Sequence, residues 1–251
     1  MQASPGSAVQ PSFEDPGIPL ADVTFACVDL ETTGGSRRHS RITEIGAVRY
    51  CRGERVGTFH TLVAPGLPIP RFVTYLTGID DPLIRDAPEV ESVLPSLIEF
   101  LGGAVFVAHN ASFDFRFLNR DLVRVGYEPI PGPPVCTGKL ARRVLGEDVP
   151  NVRLATLAQH FRTEARPEHR AWEDAEACAE VLHALLDLGG RLGILTLGDL
   201  RQACAPRART RVARIGVTAL PTRRRVYLFR RTSGRVRATT HTAAAVAPSA
   251  L

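Results

Sequence analysis

The sequence predicts a single α/β domain: a mixed sheet with helices on its flanks. Three observations carry this. A nearly unbroken apolar run, FACVDL at 25–30, is followed by two more strand-like segments joined by a tight-turn signal. A second short apolar run, AVFVAH at 104–109, stands between two segments of helical periodicity. After it, only helical spacing recurs up to residue 188. The order strand-strand-strand-helix-strand-helix, followed by helices, places helices against a sheet.

Taken in order, Phe25 to Leu30 reads as a buried strand ending in the turn signal Thr32-Thr33-Gly34-Gly35. ITEIGAVRY (42–50) and GTFHTLVAP (57–65) read as the next two strands, with Arg52-Gly53 in the turn, so the three form a meander. Pro65 to Pro70 is a loop with three prolines. In VESVLPSLIEFL (90–101), Val90, Val93, Leu94, Leu97, Ile98 and Leu101 recur at helical spacing. Pro95 falls in the opening turns, where a helix tolerates it best, and Gly102-Gly103 ends the segment. AVFVAH is uniform enough for a strand covered on both faces. Asn110 is expected to cap a helix over ASFDFRFLNRDLVRVG, ending at Gly126. Residues 135–145 and 154–161 read as two further helices. Asp174 to Leu188 reads as a strong helix stopped by Gly189-Gly190.

The ends read differently. Residues 1–20, rich in Pro, Ser, Gly and Gln, are expected to form a disordered leader, with the folded domain spanning 21–190. Residues 191–222 read as an Arg-rich linker with one short helix, Val226 to Phe229 as one strand, and 238–251 as unstructured. The whole C-terminal region is therefore expected to be a mostly irregular basic tail.

Composition bounds the function. With 251 residues, 44% of them hydrophobic, the chain can bury a core, and whole-chain disorder is excluded. No segment approaches the roughly 18 apolar residues of a membrane span, and the first twenty residues show no secretory signal. Five scattered cysteines without zinc spacing read as reduced thiols, so the expected location is the cytoplasm, with no membrane partner. The net charge of +5 hides an asymmetry. Residues 191–251 hold thirteen arginines and one acid, Asp199, while the other 190 residues hold 18 basic and 25 acidic side chains. An acidic body that handles a polyanion needs cations at its reaction centre, which points to metal ions.

Four carboxylates and one histidine stand out. Asp29 and Glu31 lie two apart on the first strand, so both project from one face and repel each other unless a cation sits between them. Leu30 points the other way, into the core. They sit at the end of a buried strand before a glycine-containing turn, where α/β sheets place their sites. Asp114 falls in the first turn of a helix, a position that acids also favour for dipole reasons alone. His169 lies just ahead of the last long helix and Asp174 near its start, so an imidazole on a lead-in segment faces a carboxylate on rigid backbone. A general base needs that freedom of approach. His60, His160, His183 and His241 show no carboxylate partner pattern and read as ordinary surface or core residues.

Together DLETTG, VAHNASFDFRFL and HRAWEDA resemble the DEDD exonuclease superfamily with the histidine form of its third motif. The likeness extends to the proofreading epsilon subunits of bacterial DNA polymerase III and their free-standing homologues. The resemblance runs from about residue 23 to 188 and includes LTGID (76–80), CTGKLARRVL (136–145) and LATLAQHF (154–161). It implies a ribonuclease-H-like fold with a five-stranded mixed sheet. It also implies a 3′→5′ exonuclease that releases nucleoside 5′-monophosphates by two-metal-ion hydrolysis with Mg²⁺ or Mn²⁺. Asp29, Glu31 and Asp174 would ligate one ion. Asp29 would bridge to a second, which Asp114 would hold directly or through water. His169 would take the proton from the attacking water. Thr33 would contact the terminal sugar, and Leu76 and Thr77 would belong to a loop beside the terminal nucleotide. Trp172 stands where relatives more often carry an aliphatic residue and is expected to pack against the core.

The implied partner is a single-stranded 3′ end, DNA rather than RNA, in proofreading or repair, with a DNA polymerase subunit as a possible companion. RNA trimming by the same site, or a non-catalytic nucleic-acid-binding module, stay open as alternatives. LPTRRRVYLFRRTSGRVR (220–237) resembles the opening of a GIY-YIG endonuclease domain, without room for that domain's catalytic residues before Leu251, so 223–251 read as a truncated remnant. The Arg-rich tail reads either as an electrostatic arm for nucleic acid or as a solvated linker.

Overall fold

A computed structural model describes residues 15–36, 38–206, 226–232 and 235–241. Five strands form one mixed sheet, ordered across it as 54–62, 42–51, 24–32, 105–108 and 135–136. The first three, β1 (Thr24–Thr32), β2 (Ile42–Cys51) and β3 (Glu54–Leu62), make the expected antiparallel meander. Arg52 and Gly53 turn the β2–β3 hairpin with φ of 53° and 77°, the positive pair that a two-residue hairpin matching strand twist requires. β4 (Val105–Ala108) runs parallel to β1, and the two-residue β5 (Val135–Cys136) runs parallel to β4.

Alternation along β1 separates two cores. Phe25 and Cys27 face one side. There they meet helices α4 (Thr137–Val144), α5 (Leu154–Phe161), α6 (Ala171–Arg191) and α7 (Leu197–Cys204). Ala26, Val28 and Leu30 face the other, against α2 (Val90–Leu101) and α3 (Ser112–Val125). Each face buries a continuous apolar layer, which explains why β1 and β4 read as uniform apolar runs. A short helix α1 (Arg71–Thr77) follows the proline loop.

Several expectations need correction. Val135 and Cys136 form β5 rather than the start of a helix; two apolar residues are too few to show a period. Asn110 does not cap α3. It takes the left-handed conformation (φ 59°) and is exposed, and Ala111 stands at the N-cap without a side-chain bond. Gly189 and Gly190 do not stop α6, which continues to Arg191. The Gly189 carbonyl instead closes the helix end by accepting from the Leu192 and Ile194 amides, at 2.9 and 3.0 Å.

The ends of the catalytic region are also more built than expected. Part of the supposed leader is tied down, with Ile18 and Leu20 buried, the Leu20 amide bonded to the Leu195 carbonyl and the Leu197 amide to the Ile18 carbonyl. α7 is docked rather than free in a linker. Thr196 and Asp199 form a capping box at its start, and Leu197, Leu200 and Cys204 are buried. Residues 1–14 and 207–225 lie outside the described residues. Within the tail, β6 (Val226–Thr232) pairs antiparallel with β7 (Arg235–His241), where one strand followed by unstructured chain from 238 was expected. All five cysteines are free, and no helix among the described residues is long and apolar enough to cross a membrane.

Candidate active site

Along the α6-facing side of β1, Phe25 and Cys27 are buried, and Asp29 and Glu31 continue the same row beyond the core. They meet the first turn of α6, which carries Asp174. Asp114, in the first turn of α3, completes the group from the neighbouring β4–α3 connection. Asp114 and Asp174 are buried, at 3% and 9% exposure, and Asp29 and Glu31 are half-buried. One oxygen each of Glu31 and Asp174 and one imidazole nitrogen of His169 lie within 4.8 Å of one another. The structure thus brings all five predicted residues to the C-terminal end of β1.

The electrostatics of this cluster are those of anions short of cations. Burial first, then the carboxylates of Asp114, Asp174 and Glu31, push Asp29 well above its ordinary range. Burial and the charge of Asp174 raise Glu31 to about 8. Burial raises Asp114 to about 7, against backbone hydrogen bonds from its own amide and that of Leu30. Asp174 is raised by burial, although the Glu168 amide donates to its Oδ1 at 3.0 Å. Under this floor the Cys178 thiol, hydrogen-bonded to the Cys27 thiol and buried, is held well above its normal range. Four mutually repelling carboxylates with no competing thiolate make an all-oxygen donor set that fits hard divalent cations.

His169 is exposed and takes φ 57°, a left-handed conformation that few non-glycine residues adopt. Thr33 is buried, and its hydroxyl accepts from the Arg41 amide at 3.0 Å, closing the 33–41 loop over the end of β1. Leu76 and Thr77 lie in the last turn of α1 rather than in a loop. The Thr77 hydroxyl is buried and spent on the Val73 carbonyl and the Ile79 amide, whereas Leu76 is exposed. The ring of neighbouring Phe72 lies against Gly34, 3.8 Å from where a Cβ would stand, so α1 sits beside the end of β1.

A family model described as Exonuclease matches residues 26–182, the span that holds all five residues. The chain belongs to this exonuclease family. Its DnaQ-like, histidine-bearing form fits DNA polymerase III PolC-type of Caldanaerobacter subterraneus subsp. tengcongensis, which is 38% identical over 77% of this chain and 14% of its own length. A Mycobacterium tuberculosis protein (strain CDC 1551), named for both exonuclease and endonuclease activity, is 44% identical over 92% of this chain and 37% of its own. The chain therefore spans about a third or less of these relatives. Among solved structures, exonuclease X in complex with 5′-overhanging duplex DNA matches 72% of this chain and 99% of its own, at 27% identity and TM-score 0.56. E. coli exonuclease I in complex with a dA16 oligonucleotide shares the fold at 19% identity, TM-score 0.58, over 69% of this chain and 43% of its own. The exonuclease family match ends at residue 182 and lends nothing to the remnant reading of 223–251.

One residue escaped the sequence reading, and His60 was misread. Glu44 on β2 is fully buried and bonded to Arg170, Ala171 and His60. His60 therefore does have a carboxylate partner, at 2.8 Å. The available signal was a lone acid inside the apolar strand ITEIGAV, since a charge there must be paired. Trp172, expected to pack against the core, is half-buried, with its ring 6.2 Å from that of His60.

Proposed function

We propose that the chain is a divalent-metal-dependent 3′→5′ exonuclease that removes nucleoside 5′-monophosphates from DNA ends. The observation that carries this is the convergence of Asp29, Glu31, Asp114 and Asp174, each held above its ordinary protonation range, beside His169. Asp29, Glu31 and Asp174 would hold one ion, and Asp29 and Asp114 a second. Two bound cations, Mg²⁺ or Mn²⁺, would neutralise these acids and stabilise the charge of an in-line phosphoryl transition state.

The remaining work falls to the chain itself. His169, exposed and adjacent to Glu31 and Asp174, would accept at an imidazole nitrogen the proton of the attacking water. Leu76, exposed on α1, would lie against the terminal nucleotide, and Thr33 would border its sugar. Thr77 would act indirectly, by holding the end of α1.

DNA as substrate is supported by the likeness to exonuclease X, whose structure holds DNA. A polymerase as companion is supported by the likeness to proteins named DNA polymerase III PolC-type. The catalytic unit would extend past 21–190 to include residues 16–20 and α7, which pack together. Incubation of the chain with 5′-end-labelled single-stranded DNA and RNA, with and without Mg²⁺ or Mn²⁺, tests the proposal. Shortening of DNA one nucleotide at a time from the 3′ end, only with metal, is expected. Equal or faster loss of RNA would move the substrate to RNA. No metal-dependent shortening of either would remove the enzymatic reading.

A further inference from the structure

We propose that Glu44 is a positioning residue for His169, acting through Arg170 and Ala171. This rests on the reading of His169 as the general base. Glu44 stands on β2 directly opposite Glu31 on β1, yet it faces a different task. Its side chain is wholly buried, and a carboxylate out of water is tolerated only when its oxygens are paired. Arg170 Nε reaches Oε1 and Oε2 at 3.2 and 3.0 Å, and Arg170 Nη2 reaches Oε1 at 2.7 Å. The Ala171 amide donates to Oε2 at 2.9 Å, and His60 Nε2 lies 2.8 Å from Oε1. The two residues that follow His169 are thus gripped by one carboxylate, one through its guanidinium fork and the other through its main chain.

The grip is tight in space as well. The segment rests on the backbone of β2: a Cβ at Gly46 would stand 2.1 Å from the Ala171 carbonyl oxygen and 2.5 Å from the Trp172 amide nitrogen. On the other side of His169, the Glu168 amide donates to Asp174 Oδ1. His169 therefore spans two carboxylate anchors in a left-handed conformation that persists only when its surroundings hold it. Asp174 is also one of the proposed ion ligands, and the bond from Glu168 occupies only its Oδ1. Glu44 has no such second duty and is the permanent anchor. Glu44 touches no reacting atom, and its effect is to fix where the imidazole can reach.

The test uses the full chain with a 5′-labelled single-stranded oligonucleotide and saturating Mn²⁺. Glu44→Gln is measured in the native background and in His169→Ala. The paired variant Glu44→Gln with Arg170→Met, which leaves no lone buried charge, is measured in both backgrounds as well. Misplacing a catalytic group by about 1 Å costs on the order of 10²-fold in rate. A fall in kcat of roughly that size is expected for either variant, with KM moved by less than about threefold. In the His169→Ala background the same change should cost less than about threefold, because no imidazole remains to be misplaced. An unchanged kcat, or an equal fall in both backgrounds, overturns the proposal and leaves Glu44 as a staple of the fold. If Glu44→Gln does not fold, the paired variant decides by the same criteria. An unmodified chain that releases no mononucleotides, or a His169→Ala variant without loss, defeats the underlying reading instead, and is seen before any Glu44 variant is measured.

Discussion

Glu31 and Glu44 are cross-strand neighbours in the same register, on the same face of the sheet, and they live under opposite conditions. Glu31 is surrounded by other acids and is raised to about 8. For Glu44 burial also works upward, yet the bonds from Arg170, His60 and the Ala171 amide outweigh it and hold the carboxyl below its ordinary value. The difference teaches what each is for. Glu44 has every partner it needs inside the chain and serves as a joint. Among the described residues the Glu31 carboxylate accepts no hydrogen bond, and the pull of the Arg170 charge does not offset its burial and acidic neighbours, which is the condition of a ligand waiting for a cation.

The comparison can be broken from the cation-seeking side first. Asp29→Ala removes the acid proposed to serve both ions and should reduce metal-dependent mononucleotide release below detection, while circular dichroism shows an unchanged fold, since the Glu44 joint is untouched. Near-native activity would take Asp29 out of the metal site. At the boundary between the two, His169→Ala should lower kcat by ~10²–10⁴ with little change in metal affinity read by titration calorimetry. A negligible rate effect would exclude it as the base.

From the satisfied side, Gly46→Ala drives a Cβ into the Ala171 carbonyl, which is backbone and cannot yield. It should cost about 3 kcal/mol or more in urea unfolding, and a neutral effect would mean that the segment before α6 is not seated on β2 as described.

The smallest effect is in the pH dependence of the metal-free protein. Glu31 and Asp114 are raised to about 8 and about 7, so between their unfolded values and these the folded state holds more protons than the unfolded one. Stability from this source is therefore greatest at low pH and declines as pH rises, from about pH 4 to about pH 8. Glu44 acts in the opposite sense: its folded value is lowered, so its contribution is present at neutral pH and is lost only in acid. The melting temperature of chelator-treated protein should fall by a few degrees across that interval, and Glu31→Gln or added Mn²⁺ should flatten the slope. A metal-free protein that stabilises as pH rises through this window would contradict the account of Glu31.

Much of this was legible in one dimension. The meander, α2, α5 and the body of α6 carry strong periodicity, and DLETTG, HNASFD and HRAWEDA mark the ends of elements where side chains leave the core. Where reading failed, the reason is local ambiguity. β5 is too short to show alternation, the glycines at 189 and 190 lie inside the last turn of α6 rather than past its end, and Asn110 uses its tolerance of positive φ instead of its capping oxygen. Residues 16–20 looked like leader because they continue a stretch rich in Pro, Ser, Gly and Gln, and only the burial of Ile18 and Leu20 and the bonds to Leu195 and Leu197 reveal that they belong to the domain.

By itself the sequence determined which residues face which side of each strand, because side-chain alternation is a local property of the backbone. Asp29 and Glu31 on one face with Leu30 on the other follow from that alone. Which strands become neighbours, and in what register, is decided only when the two apolar faces of the sheet are covered at once. That choice set Glu44 against Glu31 and laid the segment after His169 over Gly46. No spacing along the chain encodes a contact between residues 126 positions apart, such as Glu44 and Arg170; the shared burial of both faces does.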